Sequence, residues 1–211
     1  MTDESKMDVD DTKPSTTTTE KKSNNENVTP SASGEDAAKY PDMKLAQSIH
    51  QLLMMRSKNL PENKADDTLE MTTKKVFEKV ITEMENPSLY KTLQSSLGSS
   101  SSHYNGVTDE SLEQMMKKNE ETLKELEEKV EKAKEEAGDM EVLDARFDIA
   151  KFAAKSLSKE EALEAYGKVL ALPKLSSGKI MDALMESSRL ASFYDDLLKN
   201  GEFVQKVSIF C

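Results

Sequence analysis

Residues 112–137 read LEQMMKKNEETLKELEEKVEKAKEEA. The least polar positions are Leu112, Met116, Asn119, Leu123, Leu126, Val130, Ala133 and Ala137. They step 4, 3, 4, 3, 4, 3, 4, so a seven-residue repeat places them on one narrow stripe of a long helix. The remaining surface is mostly Lys and Glu. Four pairs (Glu113–Lys117, Glu120–Lys124, Glu125–Lys129 and Glu128–Lys132) set Glu four residues ahead of Lys. Each such pair contributes only ~0.2–0.5 kcal/mol, but together they support an exposed helix of this length. An element with one seam to bury is built to lie against another helix. Asn119 within the seam suits a register-fixing polar residue. The partner is either a second chain or this chain's own helices, and the short flanking connections favour the latter.

Working outward, the long helix occupies residues 109–138. Asp109 and Ser111 start it, and Gly138-Asp139 ends it. Before it, residues 39–108 hold three shorter helices and a serine-rich loop. Pro41 sets an extended entry, and Leu45, Ile49, Leu52 and Leu53 then share a helical face. Leu60-Pro61 interrupts, and a second helix runs from about Asp66 to Glu85 with Leu69, Val76, Phe77, Val80, Ile81 and Met84 on one side. Asn86-Pro87 has the form of an N-cap followed by a first-turn proline, opening a third helix on Leu89, Leu93 and Leu97. Ser99 to Ser102 mark a spacer.

Beyond the long helix, residues 139–200 carry helical hairpins of the tetratricopeptide sort. Leu143, Phe147, Ala150, Ala154 and Leu157 line one helix. Ser158-Lys159-Glu160-Glu161 has capping-box spacing, and Ala162, Tyr166 and Val169 face inward on the next, which stops at Pro173. Residues 179–199, with Ile180, Leu184, Leu190, Phe193 and Leu197, then form one further helix whose partner is missing. The repeat's usual Trp and Gly are also missing.

The expected fold class is therefore all-α: a polar N-terminal tail, a helical bundle with one heptad-patterned helix, and the start of an α-solenoid. Composition agrees. Only 5% of the 211 residues are aromatic, none is Trp, and the net charge is −11. Nine acids and five lysines lie in residues 1–39, and twelve acids and six lysines in 109–139. Residues 1–38 have too little apolar surface to offset the entropy of ordering, so a disordered acidic tail is expected. Acidity and the lack of a basic stripe argue against nucleic acid as a partner. No segment reaches the ~18 apolar residues of a membrane span. The one cysteine, Cys211, permits no intrachain disulfide. Cytoplasm and nucleus are the expected compartments.

The residues offer no active site. His50 and His103 stand alone, and no HExxH, CxxC, EF-hand or phosphate-loop spacing exists. Carboxylates lie on solvated faces beside lysines, without the burial that raises an acid's pKa. No catalytic, cofactor-binding or metal residue is expected, no cofactor, and no small-molecule substrate. In the pairs Met54-Met55 and Met115-Met116, one methionine should pack inward and the other stay outside.

Several stretches occur in a familiar order: Tyr40 to Gln47 (YPDMKLAQ), Leu89 to Leu93 (LYKTL), Met115 to Leu126 (MMKKNEETLKEL), Lys159 to Tyr166 (KEEALEAY) and the helix from Ile180 to Asp196. From about Tyr40 to Asn200 the sequence resembles the N-terminal half of the proteasome non-ATPase regulatory subunit 6 family. These are PCI-type subunits of the regulatory particle lid. The signalosome's related subunit shares the plan with less similarity. The resemblance implies a curved stack of helical repeats followed by a winged-helix PCI module. It implies a non-catalytic scaffold that binds other lid subunits and supports ubiquitin-dependent degradation. A free-standing adaptor binding a partner helix or peptide is the other reading. Residues 201–211 (GEFVQKVSIFC) depart from what the family implies, so a truncation before the PCI module is expected. Gly201-Glu202-Phe203 is compatible with codons containing a splice-donor-like GTGAGT, as intron read-through would leave.

Overall fold

Eight α-helices and no strand make up residues 39–57, 66–97, 107–136 and 138–210, the parts described by the computed structural model. The expectations for the tail at 1–38, Leu60-Pro61, the serine run, Ala137, His103 and Cys211 lie outside the described residues. The helices are α1 (Met43–Ser57), α2 (Asp66–Thr82), α3 (Pro87–Leu97), α4 (Asp109–Glu136), α5 (Asp139–Ser156), α6 (Lys159–Leu170), α7 (Ser177–Phe193) and α8 (Leu197–Ser208). The fold is all-α, and α5–α8 form two successive hairpins, as at the start of a helical-repeat stack.

Two apolar cores lie along the molecule. The first gathers Leu45, Leu52, Phe77, Val80, Leu93 and Leu112 with Phe193 of α7. Phe77 and Tyr90 meet there edge to face, with ring centroids 5.0 Å apart. The second gathers Val130, Phe147, Ala150, Tyr166, Val169 and Leu190. Its alanines, Ala150, Ala153, Ala154 and Ala162, let α5 and α6 approach closely. Tyr194 packs against both cores.

The long helix spends its seam inside the chain. Leu112 enters the first core, and Val130, Leu123 and Leu126 pack with the second. One seam position is corrected: Met116 is 48% exposed, whereas Met115 beside it is half-buried. An α-helix turns 3.6 residues, and at this level a step of three from Leu112 points at the neighbours better than a step of four. The same division holds at Met54, exposed, and Met55, half-buried.

Local signals explain most helix ends. Asn86 caps α3 by accepting a hydrogen bond from the Leu89 amide at 2.8 Å. The capping box closes both ways: the Glu161 amide donates to Ser158 Oγ, and the Ser158 amide donates to Glu161 Oε2. Five expectations are corrected. Leu53 is 37% exposed and borders a groove, while Leu45, Ile49 and Leu52 form the buried face. Helix α2 stops at Thr82 instead of Glu85, in a turn whose Glu85 has a left-handed φ of 50°. The helix expected over 179–199 breaks after Phe193. Asp195 takes a φ of 56°, and the Asp196 carboxylate accepts from the Lys199 amide to begin α8. Leu197, read as a core residue, is 74% exposed. The missing partner of α7 is thus present: α8 packs on it, with Ser188 Oγ donating to Asn200 Oδ1 at 2.6 Å.

Candidate functional site

A buried polar cluster lies where the two cores meet. At its centre is Asn119, midway along α4 and only 4% exposed. Its amide nitrogen donates to the Glu85 carbonyl at 2.9 Å and to the Ser156 carbonyl at 3.2 Å. One side chain therefore holds both the turn after α2 and the end of α5. Asn86 works in parallel. Its oxygen caps α3, and its amide nitrogen donates to the carbonyls of Lys155 and Leu157 at 3.2 and 2.8 Å. Ser156, also buried, returns the contact by donating from Oγ to the Met84 carbonyl at 2.8 Å. Buried carbonyls at helix ends need donors, and here the side chains of opposing elements supply them.

A charged rim surrounds this layer. The Glu85 carboxylate lies between Lys118 of α4 and Lys155 of α5, the latter at 3.7 Å. The hydrogen bond from Lys118 is the main reason Glu85 titrates below the ordinary carboxylate range; burial opposes it and both lysine charges assist. Tyr194 lies on the same junction. Burial pushes its hydroxyl up to about 12, the Glu160 charge adds to this, and a hydrogen bond with Asn86 partly offsets both. Neither group is set up for proton transfer near neutrality.

A second set of contacts straps the entry of α1 to α7 and to α2. Arg189 Nε donates to the Pro41 carbonyl at 3.2 Å, Lys39 pairs with Glu186 at 2.7 Å, and Lys79 holds Asp42. Lys155 also stands over the Tyr40 ring, 5.5 Å from its centroid.

Of the two histidines, His50 lines a groove between α1 and α3. Among the described residues no three His, Cys, Asp or Glu side chains gather as a metal site, and no helix is long and apolar enough to cross a membrane. Sequence reading found Asn119 as a seam residue and Asn86 as a cap. It missed that both reach across to α5, and it missed Ser156 altogether. The available signal was a polar residue inside an otherwise apolar face, present at Asn119 and Ser156 alike.

Residues 108–209 match the family model of the 26S proteasome subunit RPN7. That segment is similar to the RPN7 family. The match covers just under half of the chain, takes in α4 to α8 whole, and runs past Asn200 through residue 209. No curated protein matches the chain. The polar layer is thus the joint between the matched segment and the helices before it. Asn119, Ser156 and Leu157 lie on the matched side, and Met84, Glu85 and Asn86 on the other. The strap likewise connects Glu186 and Arg189 of the matched segment to Lys39 and Pro41.

Proposed function

We propose that this chain is a structural, non-catalytic subunit of the lid of the proteasome regulatory particle, of the subunit 6 kind. It binds other lid subunits through its helical repeats and supports ubiquitin-dependent degradation in cytoplasm and nucleus. The observation that carries this reading is the RPN7 match over α4 to α8. Support also comes from the joint, which fixes the preceding helices on that segment by buried side-chain-to-backbone hydrogen bonds. No residue is assigned a role in chemistry.

The free-standing adaptor would bind through the heptad seam or a repeat groove, and the inward side chains of that seam are already packed in the two cores. The family match favours the scaffold reading. A tagged pull-down with native-gel sizing tests it. Recovery of lid subunits in a large complex is the expected result. A small species, still without lid subunits when a PCI-containing C-terminal half is fused on, overturns it.

A further inference from the structure

The turn between α7 and α8 consists of Tyr194, Asp195 and Asp196, with neither Gly nor Pro in it. Backbone bonds close it: the amides of Tyr194, Asp195 and Asp196 donate to the carbonyls of Leu190, Ser192 and Ala191. The bond from Asp196 back to Ala191 goes with a left-handed residue before it, a place that glycine usually fills. Here Asp195 takes it, with a φ of 56°, a region in which a side chain crowds its own backbone. The sequence pattern takes no notice of the turn. Leu190, Phe193, Leu197, Asn200, Val204 and Val207 step 3, 4, 3, 4, 3, as on one uninterrupted helix. In the hairpin that stripe is divided: Leu190 and Phe193 are buried, whereas Leu197 is 74% and Val204 55% exposed. Helix α8 is also lightly held. It adds no residue to either core and buries none fully. Asn200, Phe203 and Val207 are half-buried on the side that meets α7.

We propose that two copies of this chain exchange α8. In the exchanged pair α7 runs straight through residues 194–196 into α8, and each copy's α8 packs on the other's α7 with the contacts it makes in the hairpin. The occupant of the vacated face is a segment already shaped for it, so no new complementary surface is required. The hinge sets the balance. Short connections under strain favour exchange, and straightening this one returns Asp195 to the helical region. Lys199 then lies four residues on, in the order that favours an ion pair. Against exchange stand the cap from Asp196 to the Lys199 amide and the freedom lost when two chains join. The hairpin therefore prevails in dilute solution, and the pair forms as concentration rises. The inference rests on residues 177–208 and not on the lid reading.

The test uses the full chain in two differently tagged forms, one with Ser188→Cys and one with Asn200→Cys, both also carrying Cys211→Ser. They are mixed in mild urea, dialysed at high protein concentration and treated with a short bismaleimide. Ser188 and Asn200 touch within the hairpin, so exchange brings the two new thiols together across chains. A covalent pair bearing both tags is expected, with a dimer mass by light scattering that falls on dilution. Two variants of the hinge then set the direction. Asp195→Gly accepts the left-handed turn and weakens a straight helix, so it should disfavour the dimer, whereas Asp195→Ala should favour it. Each pair holds two hinges, so the dimer dissociation constants of these variants should differ at least ~10-fold. Asp195 is exposed, and circular dichroism checks that both variants fold. If the alanine variant does not, weaker pairing of the glycine variant than of wild type decides alone. A chain that stays monomeric throughout, a dimer that the bismaleimide does not join, or one indifferent to residue 195 overturns the proposal.

Discussion

Replacing Asn119 by alanine removes a side chain that donates to both the Glu85 and the Ser156 carbonyls. The site is 4% exposed, so water does not readily replace those donors. Each carbonyl left without a partner costs about 1–3 kcal/mol. Allowing for partial relaxation, the expected loss is about 2–4 kcal/mol in total. For a body of this size that corresponds to a fall in Tm of about 4–16 °C. Asn119→Asp separates the causes, because it keeps the volume and replaces the donor by an acceptor. At neutral pH it should cost at least as much as alanine, since a buried carboxylate then faces two carbonyl oxygens. On acidification its relative loss should shrink, because a protonated carboxyl donates one hydrogen bond. Urea titration followed by circular dichroism measures all of this, with exposed Lys117→Ala as the control. A loss below ~1 kcal/mol for Asn119→Ala, or an Asn119→Asp variant as stable as wild type at neutral pH, refutes the reasoning.

Three further outcomes are expected. Glu85 titrates below its ordinary value of 4.5, so its contribution is present above that value and is lost as pH falls through the folded pKa. Glu85→Gln should flatten the acid limb of the stability curve by less than ~1 kcal/mol, since the pair is about one-third exposed or more; a wild-type curve flat below pH 4.5 speaks against it. Asp196→Ala removes the cap of α8 and the Lys159 ion pair, and should loosen that helix, seen as faster amide exchange confined to α8. Leu112→Ala should destabilise by roughly 2–4 kcal/mol and Val130→Ala, which removes fewer carbons, by less, and in different places, raising exchange in α1–α3 and in α5–α7 respectively. Identical exchange patterns for the two count against separate cores.

The parts of the fold legible in sequence are those governed by near neighbours. The Asn86-Pro87 start, the Ser158–Glu161 box and the stripe of α4 depend on spacings of three or four residues, which a chain displays openly. The misreadings share a different cause. Leu53, Met116 and Leu197 each fall on a helical apolar pattern, yet what surrounds each is decided by elements distant in sequence. The break at Tyr194–Asp196 was hidden because apolar spacing continues across it, while the capping Asp196 and the left-handed Asp195 interrupt the backbone. The joint was half legible: a lone polar residue in a seam announces a buried partner but not which one. Glu85, Lys155 and Ser156 are distant from Asn119 in the chain, and only folding brings them to it.

That joint uses side chains to answer backbone groups, and this has a structural consequence. An apolar seam at position 119 would add burial and remove a desolvation cost. It would also accept sliding of α4 by a turn, because one apolar contact resembles the next. Asn119 reaches two carbonyls on two different elements. Asn86 and Ser156 add three more directed bonds across the same boundary. A one-turn slip of about 5.4 Å breaks both bonds of Asn119 together and leaves its partners buried. Apolar burial in the two cores supplies the stability on either side. The polar layer between them supplies the register of α4 against its neighbours.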